Sequence, residues 1–435
     1  PALLATTRYR LDPADALRTT TTLLHLPVTD PQYPFVRTIT GDAPLGIENV
    51  IILQVEGLGA SIFERQANGE PVMPYLQQLA HDGLYFRNVY QSFCATDGST
   101  FAPATSLPRT MAVSDDHARF FPHEVNGHFG CLPGLLGPAP YHHYFFAGFR
   151  QRIDEFLSFM GNQGYDARGY DALAALRGDD SAAVANGLGL FDGPMLQTVA
   201  GVLIDTTGPF TAHIATATSH SPWELPPGYH TTVEAGPLAT FRYADDSIRA
   251  FVERLRRELP SFDRTLLVIV GDHTSVTFGR GFAERIHVPL IFSNPQLLSV
   301  RERWTGRTDV LASHVDIVPT VLGLLPGTHP FSGIGRDLLG RERPTEGVFS
   351  NTHESGLYLT PGYALRYTPH QRRFQLFSFT DGEIGAQDVS TEHQAVARAL
   401  THEYLAVYET VDHLIHDKHV FPVSRRSETA SYGSR

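Results

Sequence analysis

Four residues of this 435-residue chain could together activate an oxygen nucleophile: Glu56, Thr100, Asp272 and His273. Glu56 follows the apolar run Val50-Ile51-Ile52-Leu53-Gln54-Val55, and Gly271-Asp272-His273 follows Leu266-Leu267-Val268-Ile269-Val270. Thr100 lies in a Gly/Ser/Thr-rich stretch that reads as a loop. A hydroxyl is a weak nucleophile, and coordination to a divalent cation is one way to lower its pKa. Two carboxylate oxygens, one imidazole nitrogen and one hydroxyl oxygen form a mixed donor set that suits manganese, zinc or magnesium. Taken singly, Thr100 reads as a turn residue and Asp272-His273 as a solvated loop pair. Their joint placement at strand ends is what points to a site.

Short unbroken apolar runs read as strands buried on both faces, hence as strands of a parallel sheet. Ligands of open α/β sheets bind beyond the carboxyl ends of the strands, so the two runs aim Glu56, Asp272 and His273 at one rim. Elsewhere the pattern alternates. Residues 73–80 have helical spacing and stop at Gly83, residues 85–90 and 210–216 read as strands, and 243–259 carries Ile248, Phe251, Val252 and Leu255 on one helix face. Strand–helix alternation predicts an α/β fold: a mostly parallel central sheet with helices on both faces. Residues 374–379 alternate, which predicts a small C-terminal antiparallel sheet, closed by a helix near 391–413. The expected organisation is a lead-in over 1–48, a catalytic α/β domain over 49–340, a C-terminal subdomain over 341–422 and a polar tail over 423–435.

The net charge is −12, and no long basic stripe occurs, which argues against nucleic acid as a partner. Lys418 is the sole lysine, so lysine catalysis is excluded from the core of the chain. Two cysteines, Cys94 and Cys131, are too few for a disulfide scaffold or a Cys-rich zinc site; one bridge or two free thiols are both open. No stretch reaches the roughly 20 apolar residues of a membrane helix. The first residue is Pro1, which is consistent with a fragment or processed form.

From Asn49 to Leu339 the order of motifs resembles the alkaline phosphatase and sulfatase superfamily, within it the lipoteichoic acid synthase and phosphoglycerol transferase branch. Asn49 to Glu56 is similar to that branch's first strand with its metal-binding Glu. Gly98-Ser99-Thr100 occupies the place of its Gly-x-Thr, whose Thr is nucleophile and metal ligand, and Gly271-Asp272-His273 matches its paired metal ligands. Thr218-Ser219-His220-Ser221-Pro222 resembles the segment carrying a histidine that contacts substrate phosphate. Ser313-His314-Val315-Asp316 and Gly335-Arg336-Asp337 resemble the superfamily's late motifs. The resemblance implies one divalent metal ion, manganese first, and a phospho-threonine intermediate. It also implies transfer of a phosphoglycerol- or phosphoethanolamine-type group from a phospholipid or other phosphodiester donor to a glycan or alcohol acceptor. A phosphodiesterase, or a catalytically silent glycan-binding domain, is the alternative. An extracytoplasmic domain of a membrane-anchored parent is implied as well.

Two features bear on specificity. Where the synthases carry His-Gly, with a Trp and an Arg nearby, this chain reads Phe146-Ala147-Gly148-Phe149-Arg150-Gln151-Arg152. Arg150 and Arg152 are therefore the expected phosphate contacts. Cys94-Ala95-Thr96-Asp97-Gly98 lacks the Pro and Arg of the sulfatase Cys-x-Pro-x-Arg signature, and sulfate ester hydrolysis is disfavoured. His220 is expected to contact the phosphate or leaving group, and His287 to enter the site from its loop. His314 is expected beside a helix cap, His142 and His143 at the surface, and Asp97 as a turn-shaping residue.

Overall fold

A computed structural model describes residues 11–42, 44–109, 126–137, 140–150, 153–178, 184–234, 236–275, 278, 282–340, 347–352 and 354–422. Chain order runs α1 (Pro13–Leu23), β1 (Val36–Asp42), β2 (Asn49–Val55), α2 (Pro74–Asp82), β3 (Leu84–Phe86), β4 (Val89–Tyr90) and α3 (Thr96–Thr105). There follow β5 (His142–Ala147), α4 (Ile153–Asn162), β6 (Asp166–Arg168), α5 (Tyr170–Arg177), α6 (Asp192–Asp205), β7 (Phe210–Ala215), α7 (Pro237–Glu258), β8 (Thr265–Gly271) and β9 (Leu290–Ser293). The chain then forms β10 (Ala312–Ser313), α8 (Ile317–Leu324), β11 (Pro326–Ser332), β12 (Val348–Asn351), β13 (Gly356–Thr360), β14 (Gly362–Thr368), β15 (Arg373–Thr380), β16 (Glu383–Ile384) and α9 (Gln394–His416).

The central sheet has seven strands in the order β3-β9-β8-β2-β7-β5-β6. From β8 to β6 every pairing is parallel, while β9 runs antiparallel between β8 and β3. The expected mostly parallel α/β sheet is therefore present, with one reversed strand. Its central strands are buried on both faces because their apolar residues do not alternate with polar ones. Ile51, Leu53 and Val55 of β2 face one core with Phe241, Ile248, Phe251 and Leu255 of α7. Val50 and Ile52 face the other, with Ile317, Val321 and Leu322 of α8.

The expected antiparallel C-terminal sheet is also present, in the order β12-β13-β14-β15-β16, with α9 beside it. Tyr358, Leu365, Tyr367 and Leu376 of that sheet pack with Tyr404, Tyr408 and Val411 of α9. The same cluster takes in Phe101 of α3 and Phe145 of β5, so the second sheet helps wall in the helix that begins at the central rim. The segment up to residue 48, read as a lead-in with few periodic elements, holds a helix and a strand. Asp12 caps α1, accepting from the Ala14 and Asp15 amides, and β1 pairs antiparallel with β11. The sequence signal was weak because Thr19 to Thr22 dilute the helical pattern of α1. Among the described residues no helix is long and apolar enough to cross a membrane.

Two glycines make the rim possible. Gly57 takes φ +66°, a left-handed turn that costs glycine little and folds the chain back after Glu56. Gly271 lies under that turn: a Cβ there would stand 1.9 Å from the Leu58 carbonyl oxygen. Gly271→Ala is therefore expected to destabilise the protein by about 1–3 kcal/mol through overpacking against backbone. Chemical denaturation would measure it; a parent-like midpoint would mean that the 57–59 turn yields without cost.

Candidate metal centre and active site

The parallel register of β2 and β8 pairs Val55 with Gly271. The next residue on each strand, Glu56 and Asp272, thus leaves the sheet side by side. His273 follows, and one ligand atom from each of the three lies within 4.8 Å of the others. Asp272 Oδ1 accepts from the Gly57 amide at 2.8 Å and the His273 amide at 2.6 Å. Its Oδ2 is buried and accepts no hydrogen bond among the described residues. His273 Nδ1 faces the Thr274 carbonyl at 3.1 Å. A carbonyl only accepts, so Nδ1 carries a proton, and Nε2 turns to Glu56 Oε1 at 3.4 Å and Asp272 Oδ2 at 3.5 Å. Such outward anchoring of a ligating imidazole is what metal sites require.

The electrostatics agree. Burial, with Glu56's charge second, pushes the Asp272 carboxyl up to about 7. Burial likewise raises Glu56, with His273 offsetting part of the shift. Burial alone would lower His273, yet the two neighbouring carboxylates hold it above its ordinary value. Two buried carboxylates with an orphaned oxygen and an anchored imidazole fit a divalent cation.

The hydroxyl at this cluster belongs to Thr96. Its Oγ1 donates to Glu56 Oε2 at 3.1 Å and lies 3.3 Å from His273 Nε2. Thr96 is the first residue of α3, half-buried at the rim. Thr100, expected in a loop, lies one turn further along this helix, with its Oγ1 fully enclosed and, among the described residues, without a hydrogen-bond partner. A rise of 1.5 Å per residue sets it about 6 Å deeper along the axis. Two threonines four residues apart share a helix face, and a loop reading offers no way to rank them.

Other expectations divide. His220 is exposed, and its Nδ1 faces the Ser221 carbonyl at 2.6 Å. The residues just before it grip Glu56: the Glu56 amide donates to Thr216 Oγ1 at 3.1 Å, and Ser219 Oγ donates to the Glu56 carbonyl at 2.6 Å. His287 contradicts its expected role. Its ring stacks on Tyr90 at 5.2 Å and its Nε2 bonds the Arg87 carbonyl, so it serves the β4 edge and not the cluster. Arg150 is exposed, with its guanidinium over the Tyr170 ring at 4.2 Å; Arg152 lies outside the described residues. Ala147 is fully buried. Asp97 is no turn residue: it forms a buried ion pair with Arg109 just inside the start of α3. His143 is also buried, bonded to Thr211 Oγ1 at 2.8 Å, whereas His142 is exposed. His314 is buried, joining the Ser92 amide to the Gly271 carbonyl, and Ser313 and Asp316 form the capping box next to it. Both cysteines are free thiols.

Comparison with known proteins finds relatives in sequence and in fold. Lipoteichoic acid synthase 1 of Bacillus subtilis is 24% identical over 341 residues, which cover 73% of this chain and 51% of that protein. The chain thus spans about half the length of the curated relatives it matches. Among solved structures, an alkaline phosphatase superfamily protein from Vibrio parahaemolyticus superposes with a TM-score of 0.77. It is 18% identical, over 95% of this chain and 98% of that one. The lipoteichoic acid synthase LtaP from Listeria monocytogenes gives 0.68 at 16% identity, over 92% and 98%. The Sulfatase family profile matches residues 48–328, from the first strand of the central sheet through the start of β11, and the chain belongs to that family.

Proposed function

We propose that this enzyme is a metal-dependent phosphotransferase acting on a phosphodiester, with Thr96 as its nucleophile. The observation that carries the reading is the Thr96 hydroxyl at the head of α3, in contact with both Glu56 and His273. Glu56, Asp272, His273 and the Thr96 oxygen would hold one divalent cation, with manganese the first candidate. When bound, that cation supplies Lewis-acid stabilisation of charge on phosphorus-bound oxygens and lowers the pKa of the nucleophile.

The chain's own groups do the rest. The first amides of α3 have no intrahelical acceptor and suit a phosphoryl oxygen. Thr96 Oγ, its proton already lost to solvent, forms a bond to phosphorus as the bond from phosphorus to the donor's alcohol breaks, and it is released in the same deprotonated form at the end of the cycle. The departing alcohol takes a proton from Nε2 of the His220 imidazolium, whose Nδ1–H donates to the Ser221 carbonyl. An acceptor hydroxyl then gives its proton back to His220 and attacks phosphorus, releasing Thr96. A phospholipid donor and a glycan or other alcohol acceptor match the similarity to lipoteichoic acid synthases; water as acceptor would make the same site a phosphodiesterase. The proposal places the domain on the extracytoplasmic side of a membrane, where both would be met. Cys94 stands two residues before Thr96, so the nucleophile position holds a hydroxyl that cannot become the formylglycine of sulfatases.

Thr96→Ala should lower kcat on a phosphodiester by at least about 1,000-fold, the scale of losing an activated nucleophile. Thr100→Ala should keep kcat within a few-fold and show only the stability cost of a core change. The opposite ranking would return the role to Thr100. A second expectation concerns pH. Glu56, Asp272 and His273 all hold protons more tightly folded than unfolded, so each contributes stability that is lost as pH rises through its folded value, for Asp272 about 7. Metal-free protein should therefore melt at falling temperature from about pH 4 to about pH 7, and saturating Mn²⁺ should remove that trend because the cation takes deprotonated ligands. Parallel melting profiles with and without Mn²⁺ would contradict the ligand set.

A further inference from the structure

We infer that Asp192 is the positioning residue for Glu56, acting through the segment 216–219. Asp192 opens α6 and is fully buried. Its Oδ1 accepts from the Ala217 amide at 2.8 Å and the Thr218 amide at 3.0 Å, while its own amide donates to Thr218 Oγ1 at 2.8 Å. These three bonds lock the turn that leaves β7. The turn in turn takes both backbone groups of Glu56, through Thr216 Oγ1 and Ser219 Oγ. The Thr216 amide adds a bond to the Gln54 carbonyl at 3.0 Å. Glu56 therefore leaves β2 with its main chain gripped from one side by a segment whose shape Asp192 fixes, and from the other by the Asp272–Gly57 bond.

A carboxylate is suited to this position. It accepts two amide bonds at one oxygen, charge-assisted and stronger than their neutral counterparts, and it sits at the positive end of a 14-residue helix. Among the described residues its Oδ2 has no partner, so the hydrogen bonds at Oδ1 hold the segment. Asn at 192 keeps an acceptor at the same place; Ala leaves the two amides orphaned in the core.

This rests on the reading of Glu56 as a cation ligand and not on the identity of the phosphodiester. The test measures Mn²⁺ affinity of the whole chain by titration, together with hydrogen exchange at the Ala217 and Thr218 amides. Asp192→Ala should weaken Mn²⁺ binding by about 10–100-fold, the scale of losing a partner that orients a ligand, and should speed exchange at both amides. Asp192→Asn should restore Mn²⁺ affinity to within a few-fold of the parent. A Thr216→Val/Ser219→Ala double variant should weaken Mn²⁺ binding similarly, and adding Asp192→Ala to it should cost little more, because the three side chains act in series. Parent-like Mn²⁺ affinity in Asp192→Ala, or equal loss in Asp192→Asn, would overturn the inference. If Asp192→Ala fails to fold, the double variant decides: parent-like affinity there overturns it. Absence of phosphotransfer in the parent would sink the proposed function but leave the Mn²⁺ and exchange readouts intact.

Discussion

Two buried carboxylates held together at the end of a parallel strand pair are the constraint on which this structure turns. Unit charges within the 4.8 Å of this cluster repel by about 3.5 kcal/mol or more at an effective dielectric near 20. A fold tolerates that only where something else uses the charge. Here the cost is imposed by register: Val55 opposite Gly271 leaves Glu56 and Asp272 no choice but to emerge together. The surrounding bonds hold the arrangement open to a cation. Asp272 spends one oxygen on two amides and leaves the other bare, and His273 spends Nδ1 on a carbonyl and leaves Nε2 facing inward.

The hydroxyl is delivered by a different route. α3 is pinned to the central sheet through a buried polar chain, in which His213 on β7 bonds Gln54 on β2 and Gln54 Nε2 donates to the Ser99 carbonyl at 2.7 Å. Burial lowers His213 to about 3, so it stays neutral and donates Nε2–H to the Gln54 oxygen. From the other side the C-terminal sheet reaches the same region. The Asn351 amide donates to the Ser92 carbonyl, and Asn351 Nδ2 donates to the Arg109 carbonyl, each at 2.9 Å. Two separate sheets thus determine where α3 starts, and its start is where Thr96 meets the cluster. That precision is what a site working within a few tenths of an ångström needs.

Much of this was legible in the residue order. Unbroken apolar runs gave away β2 and β8, since short runs of this kind read as strands buried on both faces. The charged residues immediately after them marked the cluster of Glu56, Asp272 and His273, because position at a strand end is local information. What could not be read was depth along a helix. Thr96 and Thr100 are equally polar, four apart and set among small residues, and only the tertiary placement of α3 tells which one meets the rim. Asp192 was invisible for a similar reason: a lone acid before an apolar helix is an ordinary start signal, and its partners lie 25 and 26 residues on. His287 misled because a histidine ahead of a strand near Asp272-His273 is close in sequence, while its ring is claimed by Tyr90 and the Arg87 carbonyl.

The central claim is that the nucleophile is the hydroxyl at the helix start. Its most direct measurement is mass spectrometry of peptides spanning residues 92–109 after the Mn²⁺-loaded protein is mixed with a phosphodiester lipid and quenched before turnover completes. The account predicts a phosphorus-bearing adduct on Thr96, with a mass that names the transferred group as phosphoglycerol, phosphoethanolamine or bare phosphate. An adduct on Thr100, or turnover with no threonine modified at any time point, would contradict it.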